Sequence, residues 1–211
     1  MDLLSWALFA LAITVATISP GSNVLIVVTN ALKFGSKGAA YTILGNLSCL
    51  FLIALMASLG IGAILQSMPL AYTIMKVAGG AYLIWLGIKL IRNSLNASKS
   101  VSLHHKERSS EAVKPKAVFL EAFLISASNP KSILFLSAVF PQFLNIEQAV
   151  VPQFIIMFTT IIFIVGTIHS LYAFISLKMK GIAVSSSLAK SLSRITGITF
   201  IGMGTSLAFS K

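Results

Sequence analysis

Long apolar stretches separated by short polar segments dominate the chain. A helix that crosses the hydrocarbon core of a bilayer, about 30 Å thick, needs about 20 apolar residues. Six stretches reach that length, and each contains at most two charged side chains. They are residues 3–28, 39–65, 71–91, 117–140, 150–177 and 192–208. We therefore predict an all-α polytopic membrane protein with six transmembrane helices, and a five-span alternative with one re-entrant stretch stays open.

Composition agrees with a membrane protein. Of the 211 residues, 56% are hydrophobic and 10% are charged, whereas about 25% of the residues in a soluble domain are charged. One core of this size could not hide so much apolar surface from water, so a soluble globular fold is excluded. The first stretch lacks the basic segment of a cleaved signal peptide, so we expect it to remain in the protein.

The basic residues are placed asymmetrically along this pattern. If the N-terminus lies outside, 13 of the 16 Lys and Arg residues fall in the inner loops, where membrane proteins carry such an excess. We therefore expect both termini on the periplasmic or exterior side of the membrane. The net charge of +11 then reflects topology and attraction to membrane lipid, and we expect no nucleic-acid partner.

Two halves of the chain resemble each other. At an offset of 110 residues, the segment around Pro20 aligns with the segment around Pro130. At an offset of 117 residues, two pairs of glycines align: Gly80 with Gly197 and Gly87 with Gly204. Three spans per half is an odd number, so the second half would enter the membrane inverted, as in many secondary transporters. We expect a single transmembrane domain over residues 1–211, with repeats at about 1–92 and 117–211 joined by a cytoplasmic loop at 93–116.

Pro20 and Pro130 lie deep within the first and fourth stretches. A proline inside a helix has no N–H to donate and clashes with the preceding turn, so both helices should break there. Each break creates a half-helix N-terminus that attracts anions, and it frees backbone carbonyls that suit an ammonium group. The pair predicts a binding site for a zwitterion, although each proline alone could produce only a kink.

The candidate site residues follow from these breaks. Lys131 is the one cation deep within a stretch, where it could neutralise a substrate carboxylate. Asn46 could either line the cavity or bond between helices. Glu121 and His169 are candidates for proton coupling, although Glu121 could instead pair with a loop lysine and His169 could simply bond across helices. The predicted substrate-binding set is Pro20, Gly21, Ser22, Asn23, Asn46, Asn129, Pro130 and Lys131.

The chain carries no catalytic motif. It has no nucleophile-elbow sequence, no zinc-protease sequence and no glycine-rich phosphate loop, so we predict a protein that is not an enzyme and uses no cofactor or metal. Two alternatives stay open. One is a membrane-embedded enzyme acting on lipid through Ser126, Ser128 or His169, and the other is an assembly subunit that transports nothing. A homodimer is also possible.

At these residues the sequence resembles the lysine exporter (LysE/RhtB) family of bacterial amino-acid exporters. The matching features are the segment from Ser19 to Asn23, the Gly35/Gly38 turn, and the Asn129-Pro130-Lys131 motif, together with the glycine runs at 79–87 and 197–204. The resemblance implies proton-coupled export of amino acids or their derivatives across the inner membrane. Two features depart from the family pattern: Ser22 stands where a second proline is usual, and the second stretch has no acidic residue.

Overall fold

The structure is a computed structural model that describes residues 2–19, 21–67, 114–145 and 147–178. It also describes residues 77, 80–85, 87–89, 91–92, 191, 194–195, 197–202 and 204–205. For residues 60–67, 130 and 134 it describes the backbone only. Throughout these ranges the chain is helical apart from turns, in agreement with the predicted all-α class.

The first predicted span is two helices rather than one. Helix α1 covers Leu3–Ile18, and helix α2 begins at Ser22 and runs to Ser67. The Asp2 carboxylate caps α1 by accepting a hydrogen bond from the Ser5 N–H, and this bond holds the pKa of the carboxyl below its usual range. The interruption lies between Ile18 and Ser22, where a break was predicted, and Pro20 itself lies outside the described residues.

Helix α2 turns sharply at Gly35. The backbone of Gly35 has φ +72° and ψ −159°, a conformation that glycine adopts without the steric cost that a Cβ imposes. Gly38 lies so close to the carbonyl of Asn30 and the side chain of Phe34 that a Cβ would collide with both. The predicted Gly35/Gly38 turn is therefore present, and it folds the second part of α2 back along the first.

The fourth predicted span is also interrupted. Helix α3 covers Pro115–Ala127 and helix α4 covers Pro130–Gln142, and the two axes are bent by 70°. Asn129 caps α4 by accepting a hydrogen bond from the Lys131 N–H, and Pro130 takes the first helical position, where a missing N–H costs nothing. Helix α5 follows as one uninterrupted element over Val150–Lys178.

Helix α2 packs against α3, α4 and α5 and so occupies the centre of the described fold. At Gly45 the backbone of α2 touches the backbone of α3 at Phe119 and Phe123, so no side chain fits between the two helices. The core alongside them is apolar. Six phenylalanines in and beside this core form a chain of mostly edge-on aromatic contacts, called here the phenylalanine cluster: Phe9, Phe51, Phe140, Phe143, Phe154 and Phe158.

Within the described residues, two helices are long and apolar enough to cross a membrane, or three if the bent α3–α4 pair counts as one span. The two helices are Ser22–Leu59 and Val150–Lys178. Helix α1 has 16 residues, about 24 Å of helix at 1.5 Å per residue, and is shorter than a full span. Much of the third and sixth predicted spans lies outside the described residues.

Candidate substrate site at the two helix interruptions

The two interruptions meet through the side chain of Asn23, in the first turn of α2. Its amide nitrogen donates hydrogen bonds to the hydroxyls of Ser126 and Ser132, each at 3.1 Å. Its amide oxygen accepts a hydrogen bond of 3.0 Å from the Asn129 amide. Ser126 lies in the last turn of α3 and Ser132 in the first turn of α4, so Asn23 binds both sides of the second interruption and joins it to the first.

Lys131 links the same two regions in the opposite direction. Its ammonium group reaches from the first turn of α4 to the carbonyl oxygen of Ser19, which accepts a hydrogen bond at 3.1 Å. Ser19 is the C-cap of α1, where the helix dipole leaves partial negative charge that stabilises a cation. The aliphatic stem of Lys131 passes Gly21, since a Cβ on that glycine would lie 4.0 Å from the lysine Cδ.

A cavity of about 70 Å³ opens beside these contacts. Because a water molecule needs about 10–15 Å³ on this scale, the cavity has the size of a small organic molecule. The wall beside the interruptions is polar and includes Ser19, Asn23, Asn129, Lys131, Ser132 and His169. The rest of the wall is mainly apolar and includes Ile13, Leu50, Phe135, Leu136, Ile161 and Val165.

The polar and apolar parts of the wall lie at opposite ends of the cavity. On α4, Lys131 lies at the interruption and Leu136 lies more than one turn farther along the helix. On α5, His169 lies two turns from Ile161, or about 12 Å along the axis. The phenylalanine cluster continues beyond the apolar end, with Phe140 one turn after Leu136.

The polar end contains backbone groups that helix geometry leaves free. The first-turn N–H groups of α2, beginning at Ser22, have no acceptor within their own helix, and the helix dipole gives this end partial positive charge. Ala16 lies in the cavity wall, and the proline four residues later in the sequence has no N–H to donate to the Ala16 carbonyl. Donors and an acceptor of the backbone are thus present at one end.

Among the residues that the structure describes, three buried side-chain atoms near this end have no hydrogen-bond partner. They are the Ser19 hydroxyl oxygen, the Asn46 amide oxygen and the His169 Nδ1. The three side chains are 2%, 0% and 3% exposed. A buried polar group without a partner costs about 1–3 kcal/mol, so such groups at a cavity indicate a place where a polar ligand binds.

A second polar cluster lies along α2, away from the cavity wall. The Asn30 amide donates hydrogen bonds to the Thr42 hydroxyl at 3.1 Å and to the Glu121 carboxylate at 3.3 Å. Asn30 follows Asn23 by two helical turns, about 10 Å along the axis. Glu121 is therefore connected to the cavity through the first segment of α2, although it does not line the cavity.

The structure brings most of the predicted site residues together. Gly21, Asn23, Asn129, Lys131 and His169 line the cavity. Asn46 lies behind it, with its amide 3.5 Å from the Asn23 carbonyl, and Ser22 is exposed at the start of α2. The backbone of Pro130 begins α4, whereas Pro20 lies outside the described residues.

Sequence reasoning missed several hydroxyl groups at the site. Ser19 and Ser132 line the cavity, and the Tyr172 hydroxyl donates a 2.7 Å hydrogen bond to the carbonyl of Ile18 at the end of α1. The two serines flank the prolines in sequence, which is a usable signal. Nothing in the sequence places Tyr172 near the first interruption, because 154 residues separate it from Ile18.

Helices long enough to cross a bilayer, packed around an internal cavity, define a multi-pass helical membrane protein. Residues 14–211 match the family described as LysE type translocator, and the chain belongs to that family. The predicted resemblance is thereby confirmed. The chain is a membrane transporter of the amino-acid exporter class and not an enzyme.

Several relatives cover nearly the whole chain. A membrane protein of Vibrio cholerae serotype O1, described as uncharacterised, is 31% identical over 211 residues and covers all of both chains. The homoserine/homoserine lactone efflux protein of Salmonella typhi is 30% identical over 206 residues, covering 98% of this chain and 97% of the relative. The protein of the same description from Salmonella typhimurium matches equally well. No solved structure matches the chain.

Proposed function

We propose that the protein exports small amino acids or their derivatives from the cytoplasm across the bacterial inner membrane, and that it binds them in the cavity between the two interruptions. The observation that carries this proposal is the Lys131 ammonium, which lies in the cavity wall together with Gly21 and Asn23 at the start of α2. These groups suit a carboxylate, because a cation and a helix N-terminus both attract negative charge.

The same end of the cavity suits the ammonium group of the substrate. The Ser19 hydroxyl in the wall has no hydrogen-bond partner, and the Ala16 carbonyl is an acceptor to which Pro20 cannot donate. His169 offers an unpartnered ring nitrogen from the opposite helix. A bound amino acid would therefore satisfy the polar groups that the empty cavity leaves without hydrogen bonds.

Two relatives with the name homoserine/homoserine lactone efflux protein support a substrate of this size. Homoserine has the zwitterionic head group that the polar end suits, and its side chain is short and uncharged. We therefore propose homoserine and amino acids of similar size as the first substrates to test.

We also propose that transport proceeds by alternating access of two inverted three-helix repeats, with both termini on the periplasmic side. The equivalent positions Gly21 and Lys131 lie side by side at the site, as a two-fold axis through the cavity would place them. In this orientation the phenylalanine cluster closes the exterior side. The chain would then have to separate these rings to release its substrate.

Proton entry is the proposed source of energy, and Glu121 and His169 are the candidate groups. Glu121 is hydrogen-bonded to Asn30 on the helix that carries Asn23, so a change in its charge could be transmitted to the site. His169 lies at the cavity itself. Because Glu121 and His169 lie in different places, mutating each one separately can show which of them carries the proton.

The test is an efflux measurement in cells that lack the protein and in cells that overproduce it. Feeding a dipeptide that contains homoserine raises the internal concentration of that amino acid, and chromatography of the medium follows its release. We expect faster release and a lower internal concentration in the overproducing cells. A dipeptide of lysine serves as the control for general leakage. Equal release of homoserine from both strains would contradict the proposal.

A further inference from the structure

We infer that Ile161 and Val165 set the maximum size of the substrate side chain, and that they do so from one face of α5. The inference rests on the proposed function, because it concerns the same cavity and assigns its apolar end. Both residues line the cavity, and they are 1% and 4% exposed. Neither has a role in binding the head group.

The position of the head group fixes where the side chain must lie. Lys131, Asn129 and His169 gather at one end, so a zwitterion bound there directs its side chain toward the other end. Ile161 lies two turns along α5 from His169, about 12 Å away along the axis, and Val165 lies halfway between them. The α5 face thus runs from the head-group end to the end of the side-chain space.

The opposite side of this space has little freedom to yield. Phe135 lines the cavity and is stacked on Phe200, with ring centroids 5.1 Å apart. Leu136 is 2% exposed and lies one turn before Phe140 of the phenylalanine cluster. On this side of the cavity, a longer substrate side chain would have to displace packed aromatic rings. More space can therefore be made by shortening the branched aliphatic residues on α5.

The wall also lacks a group to neutralise a charged side chain. Among the described residues that line the cavity there is no Asp or Glu, and the cation Lys131 is at the head-group end. An amino acid with a cationic side chain would bury that charge against Ile161 and Val165 without a partner. The apolar end therefore favours short, uncharged side chains.

The experiment compares Ile161→Ala and Val165→Ala with wild type in the dipeptide efflux assay, using alanine, homoserine, leucine, phenylalanine and lysine in parallel. Removing two or three carbon atoms from the wall should raise the ratio of leucine to homoserine release by tenfold or more. Ile161→Phe should act in the opposite direction and reduce homoserine release relative to alanine release. Ile162→Ala, on the exposed face of the same helix, is the matched control and should leave every ratio unchanged.

Misfolding of a variant would not increase leucine release. An increase therefore shows that the variant has altered specificity and is not simply misfolded. Immunoblots of the membrane fraction show that the variants are compared at equal abundance. Unchanged ratios in both alanine variants, at wild-type abundance, would overturn the inference while the proposed function stands. If wild type releases none of the amino acids faster than the strain that lacks the protein, the proposed function fails, and the size limit fails with it.

Discussion

Gly87 lies directly against Gly197, close enough that no side chain fits between them. A Cβ placed on Gly87 would lie 2.5 Å from the Gly197 carbonyl oxygen and 2.8 Å from the Cγ1 of Ile201. Small residues at such a crossing let two helix backbones approach closely, which stabilises helix pairs in membranes by van der Waals contact. The glycines therefore fix the distance between the helical segments around 87 and 197.

The same contact occurs a second time. A Cβ on Gly204 would lie 2.5 Å from the Gly80 carbonyl oxygen and 2.8 Å from the Cγ1 of Ile84. The two contacts are equivalent in the two halves of the chain, because the 117-residue offset aligns Gly87 with Gly204 and Gly80 with Gly197. A two-fold axis between two equivalent antiparallel segments produces such a reciprocal pair, so the contact supports the proposed inverted repeats.

Replacement of Gly204 by alanine should destabilise the protein. The added methyl group collides with backbone at Gly80, so the two segments must separate, at a cost of about 1–3 kcal/mol. We expect a lower unfolding temperature in detergent and reduced efflux. Gly202→Ala is the control, because a Cβ there meets nothing within 4 Å. Equal unfolding temperatures for the two variants would show that the close contact does not matter.

Replacement of Lys131 by methionine should abolish most of the export while leaving insertion into the membrane intact. The variant keeps the aliphatic stem but removes the ammonium group, and losing a hydrogen bond to a charged partner costs about 1.5–3 kcal/mol, a factor of about 10–100 in binding. Efflux rates at matched protein abundance measure the effect. Lys178→Met, at the exposed end of α5, should behave like wild type. Wild-type efflux from Lys131→Met would remove the lysine from the mechanism.

The sequence predicts features that depend on neighbouring residues better than features that depend on residues far apart in the chain. Both interruptions follow from local chemistry, since Pro130 begins a helix and the chain between Ile18 and Ser22 is not helical. The turn at Gly35 is likewise a local property. The span pattern was less reliable, because hydropathy alone merged α1 with the start of α2 and did not show that they are separate helices.

Most of the cavity residues that the sequence predicts flank the prolines, and His169 on α5 is the exception. Asn23, Asn129 and Lys131 lie next to the breaks, and they meet at the cavity. The sequence suggests a loop lysine as the partner of Glu121, or a role for Glu121 in proton coupling. In the structure Glu121 accepts a hydrogen bond from Asn30, 91 residues away. Such a partner depends on how α2 folds back and packs on α3, which no local pattern in the sequence encodes.

Replacement of Gly35 by alanine tests the turn in isolation. A Cβ at this position meets nothing within 4 Å, so the whole effect comes from the positive φ of +72°. The combination of φ +72° with ψ −159° is adopted by essentially no residue except glycine, and it costs a residue with a Cβ about 1–3 kcal/mol. We expect both Gly35→Ala and Gly35→Asn to lower the unfolding temperature. Gly166→Ala, also in open space but within α5, should not lower it. Unchanged unfolding temperatures for both variants at position 35 would mean that the turn relaxes into another conformation.

The hydrogen bond between Asn23 and Asn129 should make the two side chains energetically dependent on each other. Asn23→Ala leaves the Asn129 amide without its acceptor, and Asn129→Ala leaves the Asn23 oxygen without its donor. Each single variant should lose about 1–3 kcal/mol, and the double variant should lose less than the sum. Thermal unfolding of the four proteins in detergent measures this coupling. Strict additivity would show that the bond contributes nothing to stability.

Replacement of Glu121 by glutamine should uncouple transport from the proton gradient. Glutamine keeps the shape of the side chain and an oxygen that can accept the hydrogen bond from Asn30, but it cannot release a proton. If Glu121 carries the coupling proton, the variant should still release homoserine down its concentration gradient, and an inward proton gradient should no longer accelerate that release. Everted and right-side-out vesicles, loaded with homoserine and subjected to an imposed pH difference, measure both rates.

Glu147→Gln is the matched control for this experiment, because Glu147 is exposed in the turn before α5 and lies far in sequence from Asn30. Acceleration by the proton gradient should persist in that variant. If it also persists in Glu121→Gln, the coupling group lies elsewhere, and His169→Gln becomes the decisive variant, because His169 is the other candidate and lines the cavity. Loss of acceleration only in His169→Gln would place the proton at the substrate site, where its movement and that of the substrate share one set of hydrogen bonds.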